Sequence, residues 1–115
     1  MTGLVIYEFR QSVRLQIFRH RSDKSTGFSQ RTGEAALAQF QSNLAAGAFT
    51  VVPVDWADVL DRAERISSAH TAPSGYRAMD LLHVASAQHL SVKRFLTFDL
   101  RQRALALALG FETAP

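Results

Sequence analysis

The chain has 115 residues, 47% of them hydrophobic, a net charge of +3 at pH 7 and no cysteine. That is the composition of one folded domain with a modest core, not of a disordered segment. It excludes disulfides, thiolate metal sites and a cysteine nucleophile, and no apolar run reaches the roughly 18 residues of a membrane span.

The charge is unevenly placed. Residues 1–31 carry Arg10, Arg14, Arg19, Arg21, Lys24 and Arg31 against only Glu8 and Asp23, whereas the remainder is slightly acidic. A basic first third suits a polyanion such as RNA; it equally suits a solvated helix face. Residues 1–9 lack the basic leader and small-residue cleavage site of a signal peptide, so a cytoplasmic setting is expected.

In chain order, residues 4–7 (LVIY) read either as the tail of a strand or as the first turn of a helix. From Glu8 the pattern is helical, with Phe9, Val13 and Ile17 four apart and Arg10, Arg14 and Arg21 off that stripe. Residues 22–30 read as a loop. A second helix is predicted over residues 33–46, with Leu37, Phe40 and Leu44 inward and Gly47 closing it. Residues 49–54 (FTVVPV) predict an edge strand or strand end, because Pro53 lacks a ladder donor. Asp55 is a good N-cap for a helix running to about His70, with Asp58 in its first turn and Val59, Ala63 and Ile66 buried. Residues 71–75 (TAPSG) read as a turn.

The stretch that organises the chain is residues 77–99, RAMDLLHVASAQHLSVKRFLTFD. Leu81, Val84, Ala85 and Gln88 share a helical face. Residues 91–93 break the pattern, and the compact run 95–98 (FLTF) predicts a strand covered on both faces. Asp99 falls where that strand ends and the next helix begins. Residues 100–109 form the last helix before Gly110, with a short strand over residues 111–113. Strands separated by helices imply a parallel α/β sheet. Three strands make a thin one.

No phosphate-binding loop, dinucleotide fingerprint, HExxH or nucleophile elbow is present. The constellation able to carry chemistry is acidic: Glu8, Asp80 and Asp99. Carboxylates meeting at strand ends suit Mg²⁺ or Mn²⁺, which can activate water against a phosphodiester. Each acid also has a structural role available: Glu8 and Asp80 in helix first turns, Asp99 as an N-cap. His83, three residues after Asp80, could share its face, and Trp56 and Tyr76 could stack on bases or simply pack.

The stretch 77–99 with its continuation RQRALALALGFE resembles the C-terminal half of PIN-domain ribonucleases, especially VapC-type toxins. Asp80, His83, Ala85, Ala87, Thr97 and Asp99 fit the pattern of an aspartate opening a helix, an LHxAxA-like continuation and a strand ending in T-x-D. LVIYEFRQS resembles the segment in which a strand leads into a glutamate-bearing helix, which places Glu8. The resemblance implies a three-layer α/β/α fold with a short parallel sheet, and an endoribonuclease using Mg²⁺ or Mn²⁺. Asp80, Asp99 and Glu8 would be its metal ligands, Thr97 would orient a carboxylate or water, and Arg10 and Arg14 would contact RNA. It also implies an antitoxin partner and homodimerisation. The family begins with an aspartate-bearing strand and one or two helices that have no counterpart among these residues. The expectation is therefore a single domain over residues 1–115, incomplete at its N-terminus, either a nuclease or a non-catalytic module that binds RNA or an antitoxin.

Overall fold

The computed structural model describes residues 1–115, in the order α1 (Gly3–Ser22), α2 (Gln30–Ala45), α3 (Trp56–Ser74), α4 (Ala78–His89), β1 (Arg94–Leu96), α5 (Leu100–Ala108) and β2 (Glu112–Ala114). These elements divide into two units, Met1–Pro53 and Val54–Pro115.

In the first unit the ambiguity at residues 4–7 resolves as helix, and α1 pairs with α2. Val13 is buried, and the Phe9 and Phe40 rings meet at 4.3 Å between centroids. The two helices approach closely at Gly33, where an added Cβ would come within 2.4 Å of the Ile17 Cδ1 atom. Ser29 caps α2 by accepting the Thr32 N–H at 3.2 Å, so the helix starts three residues before the predicted start. The strand expected over residues 49–54 is corrected to a single parallel bridge, Thr2 to Val52. Local β-propensity is not enough to make a strand; a ladder needs a neighbour along its whole length.

In the second unit Val59, Ala63 and Ile66 of α3 pack on Leu81, Val84 and Ala85 of α4, with Leu105 and Ala106 of α5 and Phe111 closing the core. The α3 and α4 faces are the stripes that their helical spacing predicted. Asp55 caps α3 by accepting the Ala57 N–H at 2.9 Å. That helix does not stop at His70 but continues through residues 71–74, the predicted turn. Pro73 sits in its last turn, where it offers no N–H to the Ala69 carbonyl, and Gly75 ends it in the left-handed region at φ 68°.

His89 ties the end of α4 to the start of α3. Its Nδ1 donates to the Asp58 carboxylate at 2.6 Å, and its Nε2 accepts the Asp55 N–H at 3.2 Å. The neutral ring protonated on Nδ1 satisfies both bonds at once. Asp58 also accepts from Arg62 at 2.6 Å, and these bonds, Arg62 before His89, hold its carboxyl below the ordinary range. His89→Ala should lower the denaturant midpoint without changing the slope, and its effect should be non-additive with Asp58→Asn. Additive effects would show that the bridge does not couple the two helices.

The sheet consists of β1 and β2 alone, paired in parallel with Arg94 opposite Glu112 and Leu96 opposite Ala114. The expectation that the run 95–98 is covered on both faces is corrected. Phe95 packs inward against Phe111 at 5.9 Å, but Leu96 and Phe98 are 69% and 83% exposed. An apolar run records a capacity for burial; which faces are covered depends on elements elsewhere in the chain.

Candidate functional site

The amino ends of α4 and α5 come to one end of the second unit. Arg101, in the first turn of α5, donates through Nη2 to the carbonyls of Ser74, the last residue of α3, and of Gly75, which ends that helix. Asp99 is the N-cap of α5. Its Oδ1 accepts the N–H groups of Arg101 and Gln102 at 2.8 and 3.0 Å. These backbone bonds, Gln102 first and then Arg101, hold the carboxyl below its ordinary range, with further lowering from the charges of Arg101 and Arg77.

Thr97 explains the placement of that cap. Its buried hydroxyl donates to Gln102 Oε1 at 2.7 Å and accepts the Asp99 N–H at 3.1 Å, while its own N–H joins the sheet through the Ala114 carbonyl at 2.9 Å. Thr97 thus acts on the main chain of Asp99, fixing where strand gives way to helix. Asp80 occupies the first turn of α4, half-buried, with Oδ2 accepting the Arg77 N–H at 3.3 Å.

The sequence-predicted residues therefore fall in two groups. Asp80, Thr97 and Asp99 lie in the second unit, at the ends of α4, β1 and α5. Glu8 lies in the first unit, exposed on α1 and beyond its first turn, so the helix dipole gives it no structural role. Arg10 and Arg14 are on the same helix; Arg10 donates to Gln41 Oε1 at 2.7 Å, and Arg14 lines a shallow depression with Arg21 and Gln30. Neither unit gathers three or more histidine, aspartate or glutamate side chains in position to hold a metal ion. Sequence reading missed Arg77, Arg101 and Gln102. The one signal for them was position, since they flank the two caps.

The model of the family described as PIN domain matches residues 1–107. The chain belongs to the PIN domain family. No curated protein and no solved structure matches it. PIN domains are generally metal-dependent nucleases, and the helices with a short parallel sheet are the α/β architecture of this one.

Divalent ions are typical of PIN domains, and the donor set of the second unit is chemically suited to one. Asp80 and Asp99 each give one oxygen to a backbone N–H and keep a second as a hard ligand. Two carboxylates suit a Mg²⁺-like ion that retains several waters. Arg77 and Arg101 beside Asp99 oppose a second ion of the same charge.

The capping role of Asp99 has a pH signature. Its carboxyl titrates lower in the folded chain than the ordinary 3.8, so its stabilisation is fully present above that value and is lost as pH falls through the lowered one. Asp99→Asn, which caps without titrating, should flatten this part of the acid-unfolding curve. An unchanged curve would show that Asp99 contributes nothing to it.

Proposed function

We propose that this PIN domain is an endoribonuclease of VapC-toxin type, cutting RNA phosphodiesters with Mg²⁺ or Mn²⁺ held by Asp80 and Asp99. The observation that carries the reading is the pair of aspartate-bearing helix starts, with Arg77 at the α4 N-cap lowering the Asp99 carboxyl at the α5 N-cap, in a chain of a nuclease family. The ion, when bound, neutralises phosphate charge and stabilises the leaving oxygen.

The chain's own groups do the rest. Thr97 fixes Asp99 through its main chain, so the carboxylate is held before substrate arrives. Arg77 and Arg101 supply positive charge beside Asp99 for phosphate oxygens. Arg10 and Arg14 contact the RNA backbone, and the partners are the RNA substrate, an antitoxin protein and a second copy of the chain.

A second reading is a non-catalytic module that binds RNA or an antitoxin. It draws on the two-carboxylate donor set, thinner than two-metal hydrolysis requires. The readings separate in one assay, RNA cleavage with and without Mg²⁺ or Mn²⁺. Metal-dependent cleavage supports the nuclease; tight RNA binding without turnover supports the module.

Binding to the RNA backbone makes its own prediction. Arg10→Gln with Arg14→Gln should flatten the log–log dependence of RNA affinity on salt by about 0.7 for each phosphate that is no longer neutralised. An unchanged slope would show α1 to be a solvated face.

A further inference from the structure

Within the first unit, α1 and α2 border an open depression of about 300 Å³, at the lower end of the range for small-ligand sites. Ile17 and Leu37, half-buried, and Phe18, 64% exposed, give it apolar walls. Arg14 and Arg21 lie four residues before and three after Phe18, so the three share one face of α1. Of the charged residues that line the depression, these two arginines are opposed by Glu34 alone. A chain of hydrogen bonds links the helices at its rim. Arg21 Nη2 donates to Gln30 Oε1 at 2.5 Å, and Gln30 Nε2 donates to Glu34 Oε1 at 2.8 Å. The Gln30 carbonyl oxygen is thus taken, and what Gln30 still offers is its second N–H. Glu34 keeps Oε2, which only accepts.

An apolar wall beside two guanidiniums suits many anions; Glu34 narrows the choice. Its carboxylate opposes a free phosphate or a second carboxylate and favours a ligand that also brings N–H donors. An RNA nucleotide brings all three features: phosphate for Arg14, a flat ring for Phe18, and donors along the base edge for Glu34. Guanine alone among the four bases sets two N–H donors side by side, N1–H and the N2 amino group, next to a carbonyl oxygen, O6. Glu34 can accept both donors while the second Gln30 N–H donates to O6. Adenine and cytosine offer one amino group beside a ring-nitrogen acceptor. Uracil flanks its single N–H with two carbonyls, which set acceptors against the carboxylate. We infer that this depression is a base subsite for one unpaired guanine, stacked on Phe18 and read by Glu34 and Gln30. The inference rests on the proposed RNA contact of α1 and adds which base is read beside it.

The test is binding of fluorescein-labelled RNA hexamers to the full chain in EDTA, which prevents metal-dependent cleavage. The hexamers are oligouridine and its versions with one central guanine, adenine or cytosine. The guanine hexamer should bind about tenfold tighter than the other three, the discrimination expected of a paired base-edge contact. Glu34→Gln should reduce that preference to about twofold or less. Phe18→Leu, which keeps an apolar side chain but no ring, should weaken the guanine hexamer by about fivefold or more. Both positions are exposed, so neither substitution should move the thermal midpoint appreciably. Binding without base preference, a guanine preference that survives Glu34→Gln, or full affinity in Phe18→Leu would overturn the subsite and leave the RNA contact of Arg10 and Arg14 standing. No binding of any hexamer would overturn both.

Discussion

Asp99→Asn is expected to reduce metal-dependent RNA cleavage by at least about a hundredfold, because an ion held by two aspartates loses one of its charged ligands and with it part of the transition-state charge stabilisation. Asparagine caps helices about as well as aspartate, so the bonds from the Arg101 and Gln102 N–H groups persist and the thermal midpoint should move by no more than about 2 °C. This pairing of outcomes is informative. A loss of activity with a large fall in midpoint would place the effect in the fold, and full activity in the variant would remove Asp99 from the chemistry. Asp99→Ala should lose both cap and charge and so combine the two effects.

Leu105→Ala is the substitution with the largest expected effect on stability. Leu105 is fully buried among α3, α4 and α5, and truncating it leaves a cavity where three helices meet. Such changes cost about 2–5 kcal/mol. A unit the size of Val54–Pro115 is expected to hold only about 3–9 kcal/mol in all. The variant should therefore be largely unfolded at moderate temperature, read by loss of dispersed amide signals. A midpoint close to that of the native chain would mean that the core relaxes around the site or that its stability comes from elsewhere. Leu107→Ala, at an exposed position two residues along the same helix, should be nearly silent.

The parts of the fold written in local pattern were legible in the sequence. Leu81, Val84 and Ala85 showed the buried face of α4, and Asp55 and Asp99 showed two helix starts, because periodicity and capping are decided within a few residues. Features set by distant residues were not legible. His89 and Asp58 are 31 positions apart, and no spacing rule pairs them. The run 49–54 has strand composition but meets its neighbour at one position only. Leu96 and Phe98 read as core residues although nothing in the sheet covers them. Within the site, Asp80 and Asp99 could be named from the motif that carries them. That Arg101 would reach the end of α3 could not, since the contact spans 26 and 27 positions.

We propose that Asp80 and Asp99, at the starts of α4 and α5, hold a divalent ion. Mn²⁺ tests it directly, because its unpaired electrons broaden the amide signals of residues near it. Titrating substoichiometric Mn²⁺ into the ¹⁵N-labelled chain should first broaden the signals of Asp80, Leu81, Asp99 and Leu100, an excess of Mg²⁺ should reverse the effect, and Asp99→Asn should weaken it. Broadening that spares both aspartates, or that spreads evenly over the exposed acids of α3, would contradict the account.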